Sequence, residues 1–247
     1  MVADALRNRR AQLAYQPVVQ ARRPDKPAFW EGLIRILDRT GRTIPAADFM
    51  PAVEAHELGR EIDTLALDLG LQALHQHQAL RLSINMSARS IGYPRWMAVL
   101  DHWLTVDRRL GERLILEITE SSAMLMPDIV RVFMDQLQQK GVSFALDDFG
   151  AGYTSFRYLR DFDFDVLKID GEYIRGISSN PDNQVLVRAL IGVAQHFEMF
   201  TVAEFVESYE DAEFLTSLGC DCLQGYYYGA PSLAPWWMVE DESRAVG

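Results

Sequence analysis

The sequence has little of what would staple, anchor or coat a protein. Only Cys220 and Cys222 are cysteines among 247 residues, too few for a disulfide framework, so a reducing cytosol is the compartment that fits. No stretch approaches the ~18 uninterrupted apolar residues of a membrane span. The N-terminal segment from Met1 to Gln12 reads as a short polar helix and lacks the apolar centre of a signal peptide. Positive charge is scarce as well: 24 Lys and Arg stand against 35 Asp and Glu, a net charge of −11. That balance argues against tracking a nucleic-acid polymer, which calls for a basic face, and leaves room for a small anion held through metal ions. Low-complexity segments, linkers and internal repeats are missing too. What is present is a 49% hydrophobic chain, long enough to bury a full core as one domain.

Apolar, β-rich runs alternate with helical patterns. The expected strands are 12–19, 28–37, 80–87, 113–119, 142–148, 165–170, 199–206 and 222–228. Between most of them, apolar residues recur at i, i+3 and i+4, as from Ile62 to Leu74, Ile129 to Leu137, Val185 to Phe197 and Ala212 to Leu218. Pro94, Pro127, Gly141, Gly171, Pro181 and Gly219 punctuate the joins. Eight strands mostly separated by helices give an α/β fold, a (β/α)8 TIM barrel. The first two strands break the pattern, because the Pro-rich turn from Arg22 to Pro27 is too short for a parallel crossover. The barrel is therefore expected to be modified, its first strand antiparallel to the rest.

Strands of a parallel barrel are covered on both faces and read as apolar, so polar residues near their C-terminal ends mark the active end. The chain offers Glu31 and Arg35, then Asn85-Met86-Ser87, Glu117 with Thr119-Glu120, Asp147-Asp148, Lys168 with Asp170, Glu204 and Glu207, and Gln224. Carboxylates gathered on one barrel mouth would raise one another's pKa, and burial would add to this. Divalent cations relieve that repulsion. The donors are all oxygens, which favours Mg²⁺, Ca²⁺ or Mn²⁺ over Zn²⁺, and their number exceeds what one octahedral ion needs. Two ions ~3.5–4 Å apart suit in-line attack on phosphorus. Lys168 is placed to orient the attacking water or stabilise developing charge, and Arg35 supplies a fork for phosphate. These residues point to a metal-dependent enzyme acting on a phosphate ester or an enolisable carboxylate.

The same residues resemble the EAL-domain family, phosphodiesterases that open cyclic di-GMP to linear pGpG. The resemblance runs from Ala14-Tyr15-Gln16-Pro17 to Gln224-Gly225-Tyr226. It includes Glu31-Gly32-Leu33-Ile34-Arg35, Asn85-Met86-Ser87, Glu117-Ile118-Thr119-Glu120, Asp147-Asp148-Phe149-Gly150-Ala151-Gly152-Tyr153, Lys168-Ile169-Asp170 and Ala203-Glu204-Phe205-Val206-Glu207. It implies Glu31, Asn85, Glu117 and Asp147 as ligands of one metal, and Asp147, Asp148 and Glu204 around a second. The cations implied are Mg²⁺ or Mn²⁺, with Ca²⁺ inhibitory. Lys168 and Gln224 would hold the nucleophilic water, and Glu207 would anchor the loop from Asp148 to Ser155 that couples metal binding to a homodimer. Gln16, Leu33, Arg35, Asp148 and Phe205 would contact the dinucleotide. Gly32 replaces the Ala of the family's motif, Phe205 stands where many members have Gly, and Asp163 stands for the usual Pro before the Lys168 strand. No metal or catalytic position is substituted.

The resemblance further implies one EAL domain over 1–247, with a barrel body at about 12–230. Sensor or cyclase segments, to which such domains are usually fused, are missing from this chain, and a longer parent could be membrane-anchored. Simpler readings hold elsewhere. Asp161, Asp163, Asp165 and Glu172 match part of a calcium-loop template, but Val166 stands at its glycine position. Cys220 and Cys222 read as buried thiols, and His75 and His77 as a solvated helix face. Asn85-Met86-Ser87 is a glycosylation sequon without other signs of secretion, and Trp96, Trp103, Trp236 and Trp237 read as packing. The leading function is cyclic di-GMP hydrolysis. The alternatives are a non-catalytic cyclic di-GMP receptor acting through a protein partner, and an unrelated lyase barrel using Lys168 as base.

Overall fold

The computed structural model describes residues 1–150 and 159–238. A helix, Val2–Arg7, precedes the β1 (Ala11–Gln20) and β2 (Arg23–Leu37) hairpin, and β3 (Thr43–Pro45) adds a short edge to β2. The remaining strands are β4 (Leu82–Asn85), β5 (Leu114–Thr119), β6 (Ser143–Phe149), β7 (Val166–Ile169), β8 (Phe200–Ala203) and β9 (Cys222–Gln224). Strand order β1-β9-β8-β7-β6-β5-β4-β2, with β1 also pairing β2, closes an eight-stranded barrel. β1 runs antiparallel to both of its neighbours, and the other barrel pairings are parallel.

Two details differ from expectation. The hairpin turn falls on Ala21 and Arg22, and the Pro-rich segment after it is strand, beside a register shift near Val19; bulged edges tolerate proline because no ladder N–H is required there. The edge strand β3 was not foreseen, since three residues are too few to show alternation. Helices Glu57–Gln76, Pro94–Val106, Pro127–Gln138, Pro181–His196 and Tyr209–Leu218 cover the barrel. Four contain the expected periodic segments almost entirely, and Pro94 opens the fifth at its first turn, where a missing N–H costs nothing.

Alternation within each strand sorts the residues into shells. Leu82, Ile84, Leu114, Leu116, Phe144, Leu146, Leu167, Ile169 and Leu223 point outward into the core shared with the helices. The residues between them form a separate inner cluster of Val18, Phe29, Ile115, Ala145, Val166, Val202 and Cys222. Two residues further toward the barrel mouth, on the same inner face, stand Gln16, Glu31, Glu117, Asp147, Lys168, Glu204 and Gln224, all buried. An apolar floor therefore underlies a polar layer. Gly32 faces outward, and a Cβ there would lie 2.7 Å from Ile84 Cδ1. The Ala of the family motif thus gives way to the reach of Ile84 without touching the inner layer.

Candidate active site

Lys168 stands at the centre of the polar layer. Its Nζ lies 2.7 Å from Glu117 Oε2, 2.8 Å from Glu204 Oε1, 3.0 Å from Asp147 Oδ1 and 3.6 Å from Glu31 Oε2. Neutral side chains complete the ring on Glu31: Asn85 Nδ2 donates to its Oε1 at 2.7 Å and Gln224 Nε2 to its Oε2 at 2.6 Å. Gln224 also approaches Gln16 Oε1 at 3.2 Å, and Gln16 Nε2 donates to the Gly229 carbonyl at 3.0 Å. Hairpin pairing of Gln16 with Glu31 and parallel pairing of Asn85 with Glu117 set these groups level.

One buried ammonium cannot balance four carboxylates. Burial, assisted by neighbouring Glu31, raises Glu117 well above the usual carboxylate range, and burial pushes Glu204 up to about 8. For Glu31, burial alone would raise the pKa, yet Lys168, Gln224 and Asn85 outweigh it and hold the group below its ordinary value. Burial alone would likewise strip Lys168 of its proton, but the carboxylates led by Asp147 keep it charged. The ring is short of positive charge, and two of its acceptors, Glu117 Oε1 and Gln224 Oε1, are buried with no hydrogen-bond partner. Asp147, Asp148 and Glu204 each place an oxygen within 4.8 Å of the others. An oxygen-only donor set with unsatisfied acceptors fits Mg²⁺, Mn²⁺ or Ca²⁺.

Adjacent aspartates share one site because β6 is irregular. Register against β7 slips between Leu146 and Phe149, and Asp148 takes a left-handed φ of 54°. In a regular strand Asp148 would face away from Asp147; the bulge turns it to the mouth. Burial and the Asp147 charge push its carboxyl up to about 6. Phe205, just past β8, is also left-handed at φ 53°, which explains why a glycine serves many members there. Its ring lies over Gly171, where any Cβ would come within 2.3 Å of it, and carries the Arg175 guanidinium 4.1 Å above its centre.

β2 extends beyond the barrel and carries Leu33 and Arg35 past Glu31 on the same face. Leu33 joins Glu31, Asn85, Met50, Ile62 and Asp63 in lining a cavity of about 490 Å³. Arg35 is partly buried, and its Nη1 donates to the Ile34 carbonyl at 3.1 Å. Glu207 stands apart from the ring, half-exposed and 4.0 Å from Arg175; the loop it is expected to anchor falls largely in 151–158, outside the described residues. Sequence reading missed Asp63, buried in the cavity wall, accepting from Ser87 N at 3.0 Å and Ser90 Oγ at 2.6 Å. Its signal was an acid beside Ile62 on the apolar stripe that continues to Ala66 and Leu67.

The EAL-domain profile matches residues 1–231. The chain belongs to the EAL-domain family. This EAL domain is 32% identical over 232 residues to cyclic di-GMP phosphodiesterase PdeF of Escherichia coli K12, covering 92% of the chain and 31% of the relative. It is 33% identical over 234 residues to the bifunctional diguanylate cyclase/cyclic di-GMP phosphodiesterase MucR of Pseudomonas aeruginosa, covering 92% and 34%. The domain thus spans about a third of the length of these curated relatives. Among solved structures, the PaMucR phosphodiesterase in complex with c-di-GMP superposes with a TM-score of 0.82 at 32% identity, covering 94% and 95% of the two chains. The FimX EAL domain from P. aeruginosa bound to c-di-GMP gives 0.85 at 26% identity, covering 94% and 95%. Among the described residues of this EAL domain, no helix is long and apolar enough to cross a membrane.

Asp165 Oδ2 accepts from Phe144 N at 2.8 Å and Val166–Ile169 is strand, so no calcium loop forms there. Cys220 and Cys222 are buried free thiols. His75 is exposed, as a solvated face requires, with its ring tilted against Trp103 at 5.5 Å, whereas His77 is half-buried and meets Trp237 edge-on at 4.7 Å. His77 caps the C-terminal end of the helix, where its ring meets the C-terminal segment at Trp237. Trp96 and Trp237 are buried, whereas Trp236 is 56% exposed.

Proposed function

We propose that this chain hydrolyses one phosphodiester bond of cyclic di-GMP to linear 5′-pGpG. The observation that carries the reading is the buried, oxygen-only ring around Lys168 at the barrel mouth, in a chain similar to cyclic di-GMP phosphodiesterases. Glu31, Asn85, Glu117 and Asp147 would hold one divalent cation and Asp147, Asp148 and Glu204 a second, Mg²⁺ or Mn²⁺. When bound, such cations supply charge neutralisation at the phosphate and a more acidic water.

The chain's own residues do the rest. Lys168, kept protonated by its acids, donates N–H bonds that fix the attacking water and the oxygens gaining charge. Gln224 Oε1 has no donor inside the protein and accepts a hydrogen bond from that water, while its amide N–H holds Glu31 in place. Arg35 offers a guanidinium fork to a phosphate. The cavity beside Glu31 has apolar walls in Leu33, Met50, Ile62 and Met86 and polar groups in Asp63 and Ser87, a mixture suited to a base. Phe205 presents its ring, 44% exposed, to the other base. Glu207 anchors the segment after Asp148 that couples the site to a homodimer, and Ca²⁺ inhibits by accepting looser geometry than the reaction needs. A sensor or cyclase segment supplied by a longer protein would set the rate.

The test is turnover by Lys168→Met and Glu31→Gln beside the wild-type protein with Mn²⁺. Both variants should lose roughly 10²-fold or more, the usual contribution of a positioned proton-handling group. Unchanged turnover in both would remove the assignment. Tight binding without turnover by the wild-type protein at any cation concentration would make the chain a receptor.

A further inference from the structure

The opposite end of the barrel holds a second cleft, of about 620 Å³. Its floor is the apolar inner layer, with Phe29, Ile115, Val166, Val202 and Cys222 directly beneath the acidic ring. Phe200 stands in its wall with 63% of its surface exposed, a disposition folding alone does not favour.

Charge at this end is reversed. Arg22 and Arg23 from the β1–β2 turn and Arg81 from the approach to β4 all line the cleft and are exposed. Among the described residues none of the three has an ion-pair partner. Two carboxylates also line it and keep their charge, each held in place by neutral donors: Asp165 Oδ2 accepts from Phe144 N at 2.8 Å, and Asp221 Oδ2 accepts from Thr201 N at 2.9 Å and Thr201 Oγ1 at 2.8 Å, so the arginines still outnumber the acids of the lining. In a chain of net charge −11, this end offers three uncommitted guanidinium forks above an apolar slot. Arginine forks match phosphate oxygens two at a time, and clefts of ~300–1,000 Å³ hold ligands of nucleotide size.

We propose that the bottom of the barrel is a second, non-catalytic binding site for an aromatic phosphate, a ring carrying a phosphomonoester, with the ring against Phe29 and Phe200 and the phosphate held by Arg22, Arg23 and Arg81. The site is independent of the reading of the barrel mouth. Because β2, β5, β7, β8 and β9 each carry a floor residue two positions before a ring residue, an occupant here touches the strands that align Glu31, Glu117, Lys168, Glu204 and Gln224.

The experiment is calorimetric titration of the whole chain with 1-naphthyl phosphate, and separately with inorganic phosphate, in chelator and again with saturating cyclic di-GMP and Ca²⁺. The expected result is one-to-one binding of the aryl phosphate under both conditions. It should weaken about tenfold or more in Arg22→Ala/Arg81→Ala and in Phe200→Ser, and be unaffected by Arg35→Ala. Inorganic phosphate should bind at least about tenfold more weakly. The arginine and Phe200 side chains are exposed, so thermal midpoints of the variants stay at the wild-type value and folding does not confuse the outcome. No saturable binding, displacement by cyclic di-GMP, indifference to the arginine substitutions, or equal affinity for inorganic phosphate would each overturn the proposal.

Discussion

Lys168 and Asp63 show two ways in which burial handles charge. Lys168 is surrounded by carboxylates at 2.7 to 3.6 Å, and removing it would leave a buried acidic cluster without its countercharge, a change that typically costs ~3–5 kcal/mol. Among the described residues Asp63 has no cationic partner; it keeps two donors, and burial pushes its carboxyl up to about 6. The folded protein therefore holds that proton more tightly than the unfolded chain, so the stabilisation is complete below about pH 4 and is lost as pH rises through about 6. Relative to Asp63→Asn, the wild-type protein should lose about 3 kcal/mol between pH 4 and pH 7 and nothing more above that. Urea unfolding of the pair across that range checks it, and a pH-independent difference would contradict the assignment. The ring acids were legible in the sequence because each interrupts an apolar strand at an inward position. Asp63 was not, since one acid on an amphipathic helix ordinarily faces water and only its register beside Ile62 says otherwise.

At the scale of elements, the site depends on two places where the chain leaves regular geometry. The β6 bulge brings Asp147 and Asp148 together, and the turn after β8 holds Phe205 left-handed beneath Arg175. Left-handed backbone costs ~1–2 kcal/mol in a residue with a Cβ, against ~0.5–1 kcal/mol returned by an exposed cation–π contact. Phe205→Gly should thus leave stability within about 1 kcal/mol of wild type, while cyclic di-GMP binds about tenfold more weakly for want of a stacking surface, worth ~1–3 kcal/mol. Unchanged affinity would show that the ring does not meet a base. The C-terminal segment closes the β1 seam: Ser232 bridges Tyr15, and Trp237 packs 5.0 Å from Tyr15, 6.1 Å from Trp30 and 4.7 Å from His77. Trp237→Ala should cost ~3 kcal/mol or more, read as a lower urea midpoint. Strands and long helices were legible from their periods; β3 was too short to show one, and the contact of His77 with Trp237 joins residues remote in sequence.

Across the whole molecule, one barrel separates two chemistries. The mouth collects acids that need cations, and the floor two residues below is apolar and faces arginines. The antiparallel first strand was readable from a connection too short for a crossover, and the acidic mouth from polar residues at strand C-terminal ends; the apolar floor beneath it was not. The register of β1 on β9 needed the three-dimensional structure, since pairing across more than 200 residues leaves no local mark. The most direct measurement of the central claim is chromatography of the products after incubating the protein with cyclic di-GMP in Mg²⁺, in Mn²⁺ and in chelator. Conversion to pGpG in both metals, absent in chelator, is the expected result. Product formed equally in chelator would contradict a cation-dependent site, and intact dinucleotide in every sample would contradict hydrolysis by this chain.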